Sequence, residues 1–261
     1  MSILEVKNLC TYFDTPHGVV KAVDDISFGI EKGEVFGIVG ESGSGKTMTA
    51  LSILKLISPP ARILGGKVLF NGTNLLEMDE RSLRQIRGSK ISMVFQEPAS
   101  SFNPVFTIGT QIAEAVLAHQ DADTNRAAKI ALEYLSRVHI GDPRRVFYDY
   151  PHQLSGGIKQ RAMIAMALVN QPQIVILDEP TTALDVTIQA QVLDLLDEII
   201  HEEALSILFI SHDFGVIARM CGRVAVMRSG KIVESGKTHD ILDKPKDPYT
   251  ISLLESVKAL S

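Results

Sequence analysis

The segment from Gly40 to Thr47 constrains the fold of this chain more than any other. It reads Gly-Glu-Ser-Gly-Ser-Gly-Lys-Thr and fits the pattern G-x-x-x-x-G-K-[ST]. The apolar run Val35–Val39 precedes it, and Met48–Leu54, which has a helical composition, follows it. A strand, a glycine-rich turn and a helix in this order form a loop whose backbone N–H groups cradle phosphate at a helix N-terminus. The sequence therefore predicts a nucleotide-binding loop.

Within this loop, the lysine and the threonine have the most specific predicted tasks. Lys46 would reach the outer phosphates, and Thr47 would offer its hydroxyl to Mg²⁺. The alternative without a ligand is a glycine loop that joins a strand to a helix and carries a surface lysine. The flanking strand and helix favour the nucleotide interpretation, in which the predicted binding residues are Gly40, Glu41, Ser42, Gly43, Ser44, Gly45, Lys46 and Thr47.

A second candidate element is the run Ile174–Glu179, in which four apolar residues lead into two carboxylates. Solid apolar character is typical of a parallel strand covered on both faces. Ligands of such sheets bind outside the carboxyl ends of the strands. We therefore expect Asp178 to hold Mg²⁺ and Glu179 to act as the general base that polarises the attacking water. The alternative is a solvated acidic turn after a strand.

A third element is the segment Leu154–Gly157, which begins a helical stretch that continues to Leu168. Ser155 is a typical helix N-cap, and this structural interpretation needs no ligand. However, Gly156 and Gly157 at a helix start also form a second phosphate-binding N-terminus. One chain with one nucleotide does not need two such sites.

Together and in this order, these segments resemble the nucleotide-binding subunit of ATP-binding cassette (ABC) transporters. The resemblance implies that Ser155, Gly156 and Gly157 of one protomer close on the ATP held by the phosphate loop of another. Ile158 follows these glycines where the family often has glutamine, which leaves the geometry of that contact between protomers open.

The resemblance also implies roles for four further positions. These are adenine stacking by Tyr12, sensing of metal and water by Gln96, the dimer seam at Ala183–Asp185, and a γ-phosphate contact by His212. Taken alone, Tyr12 would be a packed strand residue and His212 an ordinary residue at a strand end. The implied catalytic set is therefore Glu179, His212 and Gln96, and the implied metal set is Thr47, Gln96 and Asp178.

The order of sequence patterns predicts an α/β fold. The resemblance implies that residues 1–261 form one ABC ATP-binding domain of the P-loop NTPase type, with a mostly parallel sheet, helices and an antiparallel β subdomain in residues 1–96 and 171–261. Residues 97–170 would be an all-helical subdomain, because helical periodicity covers Ile108–Val138 and no strand-like run appears before Gln173. Lys67–Gly72 has the pattern of an edge strand that ends in an Asn-Gly turn.

Composition excludes several classes of function. The net charge of −5 disfavours nucleic-acid binding, which needs a basic face, and the two cysteines have no metal-ligand spacing. The N-terminus lacks a signal-peptide layout, and no apolar run approaches the roughly 20 residues that span a bilayer. If the protein works at a membrane, another chain must supply the membrane part, and the resemblance implies a peripheral location on the cytoplasmic face.

Finer resemblance indicates the importers of oligopeptides, dipeptides and nickel, and it rests on Gln96–Pro98, Tyr150–Leu154, Asp178–Gln191 and Asp247–Thr250. It implies an ATPase that uses ATP and Mg²⁺ to power import through separate permease subunits. The further implied partners are an extracytoplasmic solute-binding protein and a second ATP-binding subunit, for which a paralogue is favoured and an identical copy is the alternative. The alternatives are a soluble ABC ATPase not coupled to transport and a phosphate-loop kinase. The choice between peptide and nickel stays open.

Overall fold

The computed structural model describes residues 2–16, 18–182 and 184–258, and within these ranges the elements follow the predicted order. The strands are β1 (Ser2–Thr15), β2 (Gly18–Glu31), β3 (Val35–Val39), β4 (Ala61–Phe70), β5 (Thr73–Asn74), β6 (Ile91–Val94), β7 (Ile174–Asp178), β8 (Ser206–Ser211), β9 (Arg223–Arg228) and β10 (Lys231–Lys237). The helices are α1 (Lys46–Ile53), α2 (Glu80–Arg84), α3 (Pro98–Ser101), α4 (Ile108–Leu117), α5 (Thr124–Arg137), α6 (Pro143–Tyr148), α7 (Gly156–Leu168), α8 (Val186–Glu203), α9 (Phe214–Met220), α10 (Thr238–Asp243) and α11 (Pro248–Lys258).

The first of two compact units combines Met1–Leu83 with Ser206–Ser261. One of its sheets has the order β2-β1-β4-β5 and is antiparallel throughout, as expected for the predicted antiparallel β subdomain. The other has the order β10-β9-β3-β8, in which β3 is parallel to both neighbours and β9–β10 is a hairpin. Strands β3 and β8 are apolar because both of their faces are covered, and Phe36 and Phe209 are among the largest buried side chains.

The prediction for the fourth strand was wrong in two respects. Strand β4 lies between β1 and β5 and is therefore not at the edge of its sheet. It also begins at Ala61, six residues before the predicted start at Lys67, and continues through Gly65 and Gly66. Gly66 has a φ of +101°, and a side chain there would meet the backbone of Asn8, so the glycine accommodates a close approach between neighbouring strands.

The second unit is Arg84–Leu205. It contains the parallel pair β6–β7 and the helices α3 to α8. Helices α4 and α5 confirm the helical periodicity after Ile108, and the polar segment between them ends at Asp123, which caps α5. The segment between β6 and β7 is helical and contains no strand in its described residues, as predicted. The boundaries of the predicted helical subdomain, 97–170, stay a prediction.

None of the helices in the described ranges combines the length and the apolar composition that a membrane crossing requires.

Candidate functional site

The phosphate loop requires glycine at two of its positions because the backbone of other segments packs against it. A side chain at Gly40 would overlap the carbonyl oxygen of Met227 on β9. Gly45 has a φ of +107°, and a side chain there would overlap the carbonyl oxygen of Ala22 on β2. Only glycine adopts such a conformation at low cost. The loop is therefore shaped by the close approach of two strands, β2 and β9.

The interior of the loop presents a buried ammonium group and a buried hydroxyl. Lys46 is only 4% exposed, and its Nζ donates to the carbonyl oxygens of Gly40 and Glu41, both at 2.9 Å. Ser44 Oγ is buried and has no hydrogen-bond partner among the described residues. A buried polar group normally has a partner, so this hydroxyl fits a site built to receive one. A cation, a hydroxyl and the start of α1 are together suited to phosphate.

His212 lies next to the phosphate loop because of strand register. Strands β3 and β8 are parallel, and Val39 is paired with Ser211. Gly40 and His212 therefore leave adjacent strands at equivalent positions, on the edge where ligands of parallel sheets bind. His212 is exposed there, and Asp213 after it caps α9 by accepting from the N–H of Gly215 at 2.7 Å.

Tyr12 is fixed by the neighbouring strand of its hairpin. Its hydroxyl donates to Asp24 Oδ1 at 2.6 Å, and Lys21 Nζ lies 5.1 Å from the centroid of its ring. The hydrogen bond to Asp24 raises the pKa of Tyr12. The same bond is the main cause that lowers the pKa of Asp24, and the positive charge of Lys21 contributes less. The half-buried ring therefore has a defined orientation on the sheet that also supplies Ala22 to the loop.

In the second unit, register brings Gln96 to Glu179. Val94 is paired with Leu177 in the parallel pair β6–β7, so Gln96 and Glu179 each lie two residues after a member of this pair. Gln96 Nε2 donates to Glu179 Oε2 at 3.1 Å. Two residues that lie 83 positions apart in the chain are thus in direct contact, as expected if both serve one reaction.

The backbone at Glu179 is in an uncommon conformation. Its φ is +48°, the left-handed region that residues other than glycine rarely adopt. Non-glycine residues in this region cluster at functional sites, where the surrounding structure holds them. Asp178 before it is the last residue of β7 and is 1% exposed, and Glu179 is 8% exposed. Two buried carboxylates therefore lie at the end of the strand, Asp178 as its last residue and Glu179 directly after it.

Thr182 is a residue that sequence reasoning missed. Its Oγ1 donates to Glu179 Oε2 at 2.9 Å, so the same carboxylate oxygen accepts from both Thr182 and Gln96. The Thr182 N–H also donates to the Glu179 carbonyl at 3.2 Å, which closes a tight turn. The available signal was a threonine three residues after a carboxylate, a spacing at which side chains in a turn meet.

The helix start at Ser155 confirms the predicted cap. Ser155 Oγ accepts from the N–H of Ile158 at 3.4 Å, and Ser155 and Gly156 are exposed. A side chain at Gly157 would approach Ile188 Cγ2 to 2.7 Å. Ile158 contributes its backbone N–H to the cap, so an isoleucine at this position leaves the cap intact.

The predicted dimer-seam segment is described in part. Ala183 lies outside the described residues. Asp185 is exposed and caps α8, because its Oδ1 accepts from the N–H of Ile188 at 3.0 Å. Ile188 thus lies close to Gly157 at the start of α7 and donates its N–H to the cap of its own helix, α8.

Residues 23–182 match the family model described as "ABC transporter". The chain belongs to this family. Relatives cover nearly all of it. A probable peptide ABC transporter ATP-binding protein, y4tR of Sinorhizobium fredii, is 49% identical over 98% of this chain and 76% of its own length. The dipeptide transport ATP-binding protein DppD of Bacillus subtilis is 48% identical over 99% of this chain and 77% of its own length.

Solved structures of ABC cassettes have the same fold. The dimeric ATP-binding cassette MJ0796, in a post-hydrolysis state with ADP and Pi bound, superposes with a TM-score of 0.81 at 28% identity over 90% of this chain and 98% of the other. CbiO1 of Clostridium perfringens, part of the ABC transporter complex cbiONQ, gives a TM-score of 0.77 at 25% identity over 99% and 98%. This ABC chain is accordingly an ATP-binding ATPase with the predicted α/β nucleotide-binding fold.

Proposed function

We propose that this ABC ATPase powers the import of peptides through separate permease subunits in the membrane. The observation that carries the proposal is the near-complete coverage of the chain by relatives named as peptide or dipeptide transport ATP-binding proteins. Nickel or a metal chelate is the less supported cargo, because y4tR and DppD are both named for peptides or dipeptides.

In the proposed site, the first unit binds the phosphates and the base of ATP. Lys46 neutralises the outer phosphates, and the backbone N–H groups from Gly43 to Thr47 donate to the phosphate oxygens. The buried Ser44 hydroxyl gains its missing partner there. Tyr12, held by Asp24, stacks on adenine. His212 beside the loop contacts the γ-phosphate.

The residues proposed to hold Mg²⁺ are Thr47, Gln96 and Asp178. A hydroxyl, an amide oxygen and a carboxylate fit this ion, because Mg²⁺ prefers oxygen ligands and is usually bound by one or two carboxylates together with substrate phosphates. The ion supplies neutralisation of the charge that develops on the transferred phosphoryl group.

Glu179 is proposed to accept a proton from the attacking water as general base. The hydrogen bonds from Gln96 and Thr182 hold its carboxylate in one orientation, and the left-handed backbone holds the turn that carries it. Orientation of this kind removes part of the entropic barrier to reaction.

A second ATP-binding subunit is proposed to complete each site with its equivalent of Ser155, Gly156 and Gly157. The exposed start of α7 supports this role, because it presents backbone N–H groups at a surface. A paralogue is the favoured second subunit, and an identical copy is the alternative. A solute-binding protein outside the cytoplasm takes part through the complex.

The permease is proposed to dock near Gln96–Thr107, at the cytoplasmic face of the membrane. Three large apolar side chains are exposed in or next to this segment, namely Phe95, Val105 and Phe106. Exposed apolar groups of this size are typical of protein contact sites. A cytoplasmic helix of the permease with an apolar face would cover them.

The test uses the transporter reconstituted with its permease and binding protein. Glu179→Gln should lower steady-state ATP hydrolysis by about 100-fold or more, because it removes the general base and keeps the shape of the side chain. The exposed Glu133→Gln is the matched control and should retain wild-type activity. Stimulation of hydrolysis by dipeptide, and not by nickel chelates, would support peptide import.

Two results would contradict the proposal. Wild-type hydrolysis by Glu179→Gln would remove the assigned role of Glu179. Failure of the chain to co-purify with any permease, together with full activity in its absence, would favour a soluble ABC ATPase.

A further inference from the structure

The C-terminal helix α11 contacts the phosphate loop through Tyr249. The hydroxyl oxygen of Tyr249 accepts a hydrogen bond from the backbone N–H of Glu41, the second residue of the loop, at 3.4 Å. The side chain is well buried, with 9% of the residue exposed, and the Arg228 guanidinium lies 4.6 Å from the centroid of its ring. The contact joins residues that are 208 positions apart in the chain.

A series of hydrogen bonds sets the position of Tyr249. The Glu234 carboxylate on β10 accepts from the N–H groups of Lys246 at 2.8 Å and Asp247 at 3.1 Å. Asp247 Oδ1 in turn accepts from the N–H of Tyr249 at 2.9 Å. The turn into α11 is thus tied to the sheet that carries the phosphate loop, and the tyrosine is not left to the conformational freedom of a terminal helix.

Glu41 is held through both of its backbone groups. Its N–H donates to Tyr249, and its carbonyl accepts from Lys46 Nζ at 2.9 Å. Lys46 also bonds the carbonyl of Gly40, so the opening of the loop is braced by Lys46 on one side and by α11 on the other. Burial is the main cause that raises the pKa of Tyr249, so its hydroxyl stays neutral at physiological pH.

We propose that Tyr249 is a positioning residue for ATP binding, which holds the Glu41 peptide and so pre-forms the opening of the phosphate loop. The inference rests on the proposed role of this loop in binding the phosphates. A loop that is already ordered loses less conformational entropy when ligand binds, so the brace strengthens binding without contacting ATP. Its effect therefore falls on affinity and not on the chemical step.

The test compares Tyr249→Phe with the wild-type chain and with Tyr148→Phe, a matched control whose tyrosine is 73% exposed. Tyr249→Phe keeps the ring beneath Arg228 and removes only the hydroxyl. We expect it to raise the Kd for Mg²⁺–AMP-PNP, and the KM for ATP in the reconstituted transporter, by about 2- to 10-fold, as for the loss of one hydrogen bond. The kcat should stay at the wild-type value, the melting temperature should fall by no more than a few °C, and Tyr148→Phe should match wild type throughout.

A second pair of variants reaches Tyr249 indirectly. Asp247→Ala removes the acceptor for the Tyr249 N–H and should weaken nucleotide binding in the same way. Asp247→Asn keeps an oxygen acceptor and should bind nucleotide with the wild-type Kd. A wild-type Kd in Tyr249→Phe would overturn the inference. So would a fall in kcat and melting temperature with KM unchanged, which would indicate a purely structural role.

Hydrogen exchange at the Glu41 amide separates this inference from the proposed function. Faster exchange in Tyr249→Phe supports the brace, and unchanged exchange overturns it, whether or not nucleotide is present. Failure of the wild-type chain to bind Mg²⁺–AMP-PNP would instead contradict the proposed ATP site.

Discussion

Replacing each of the two glycines that begin α7 by alanine should change the stability of the chain in opposite directions. A methyl group at Gly156 would lie 3.7 Å from Leu184 Cδ2, an ordinary contact. A methyl group at Gly157 would lie 2.7 Å from Ile188 Cγ2, so the neighbouring side chain would have to move. The two substitutions are chemically identical and adjacent, so each controls for the other.

The magnitudes follow from these contacts. Alanine at a compatible glycine position stabilises by about 0.4–1 kcal/mol through the unfolded state, so Gly156→Ala should raise the free energy of unfolding by that amount. Overpacking costs about 1–3 kcal/mol, so Gly157→Ala should lower the free energy of unfolding by a net of about 1–2 kcal/mol. For a chain of this size, each 1 kcal/mol shifts the melting temperature by about 2–4 °C.

Urea unfolding and thermal melts measure both changes. The double variant Gly157→Ala/Ile188→Ala provides the internal check, because removing Cγ2 removes the overlap. Gly157→Ala should then cost nothing relative to Ile188→Ala alone, which is the non-additivity expected of residues in contact. A shift of the same sign in both glycine variants would refute the packing argument.

The same variants separate folding from function at Gly156. If this exposed helix start approaches the nucleotide of a second subunit, Gly156→Ala should lower ATP hydrolysis in the assembled transporter by about tenfold or more while the chain becomes more stable. Wild-type hydrolysis in that variant would refute the assignment of Gly156 to the site between protomers.

Three further predictions concern the first unit. Gly45→Ala should abolish nucleotide binding and lower the melting temperature, because its methyl group would overlap the backbone of Ala22. Gly43→Ala has no atom within 4 Å of the added carbon, so its free energy of unfolding should fall by only about 1–2 kcal/mol, the cost of the positive φ. Unfolding curves of the two variants distinguish these outcomes. Tyr12→Phe should raise the pKa of Asp24 in an NMR titration, because it removes the hydrogen bond that lowers this pKa. Since the folded pKa lies below the unfolded one in wild type, the variant should be less stable than wild type above pH about 4, and the difference should vanish as the pH falls through the folded pKa. Burial raises the pKa of the Cys221 thiol, so iodoacetamide at pH 8 should modify it only after unfolding, and labelling in the native state would contradict its burial.

The elements that the sequence predicted well are those set by local rules. An apolar run and the glycine pattern after it were sufficient for β3 and the phosphate loop. A serine before two glycines was sufficient for the cap at Ser155, because a cap needs only the side chain and the next three residues. The buried run before Asp178 likewise predicted β7. In each case the information lies within about ten residues of the element.

The contacts that escaped prediction depend on register or on distant segments. Glu179 was assigned to the reaction from its position after a buried strand, and Gln96 from the family resemblance. Their hydrogen bond, however, follows from the pairing of Val94 with Leu177, which no local pattern encodes. The positive φ of Glu179 is imposed by its surroundings, because glutamate has no intrinsic preference for it. Strand β4 shows the same limit, since Gly66 tolerates the close approach of a neighbouring strand and does not mark a break.

The hairpin turn at Gly230 has a consequence for how far the phosphate-loop motif can be transplanted. Its N–H donates to the carbonyl of Ser44 at 2.8 Å, and its carbonyl accepts from the N–H of Asp24 at 2.8 Å, so one glycine joins the loop to the first sheet. A designer who copies only the eight residues of the motif onto another strand and helix would leave these bonds behind. The grafted loop would then lack the hydrogen bonds that fix its conformation in this chain, and the eight residues alone should bind nucleotide poorly.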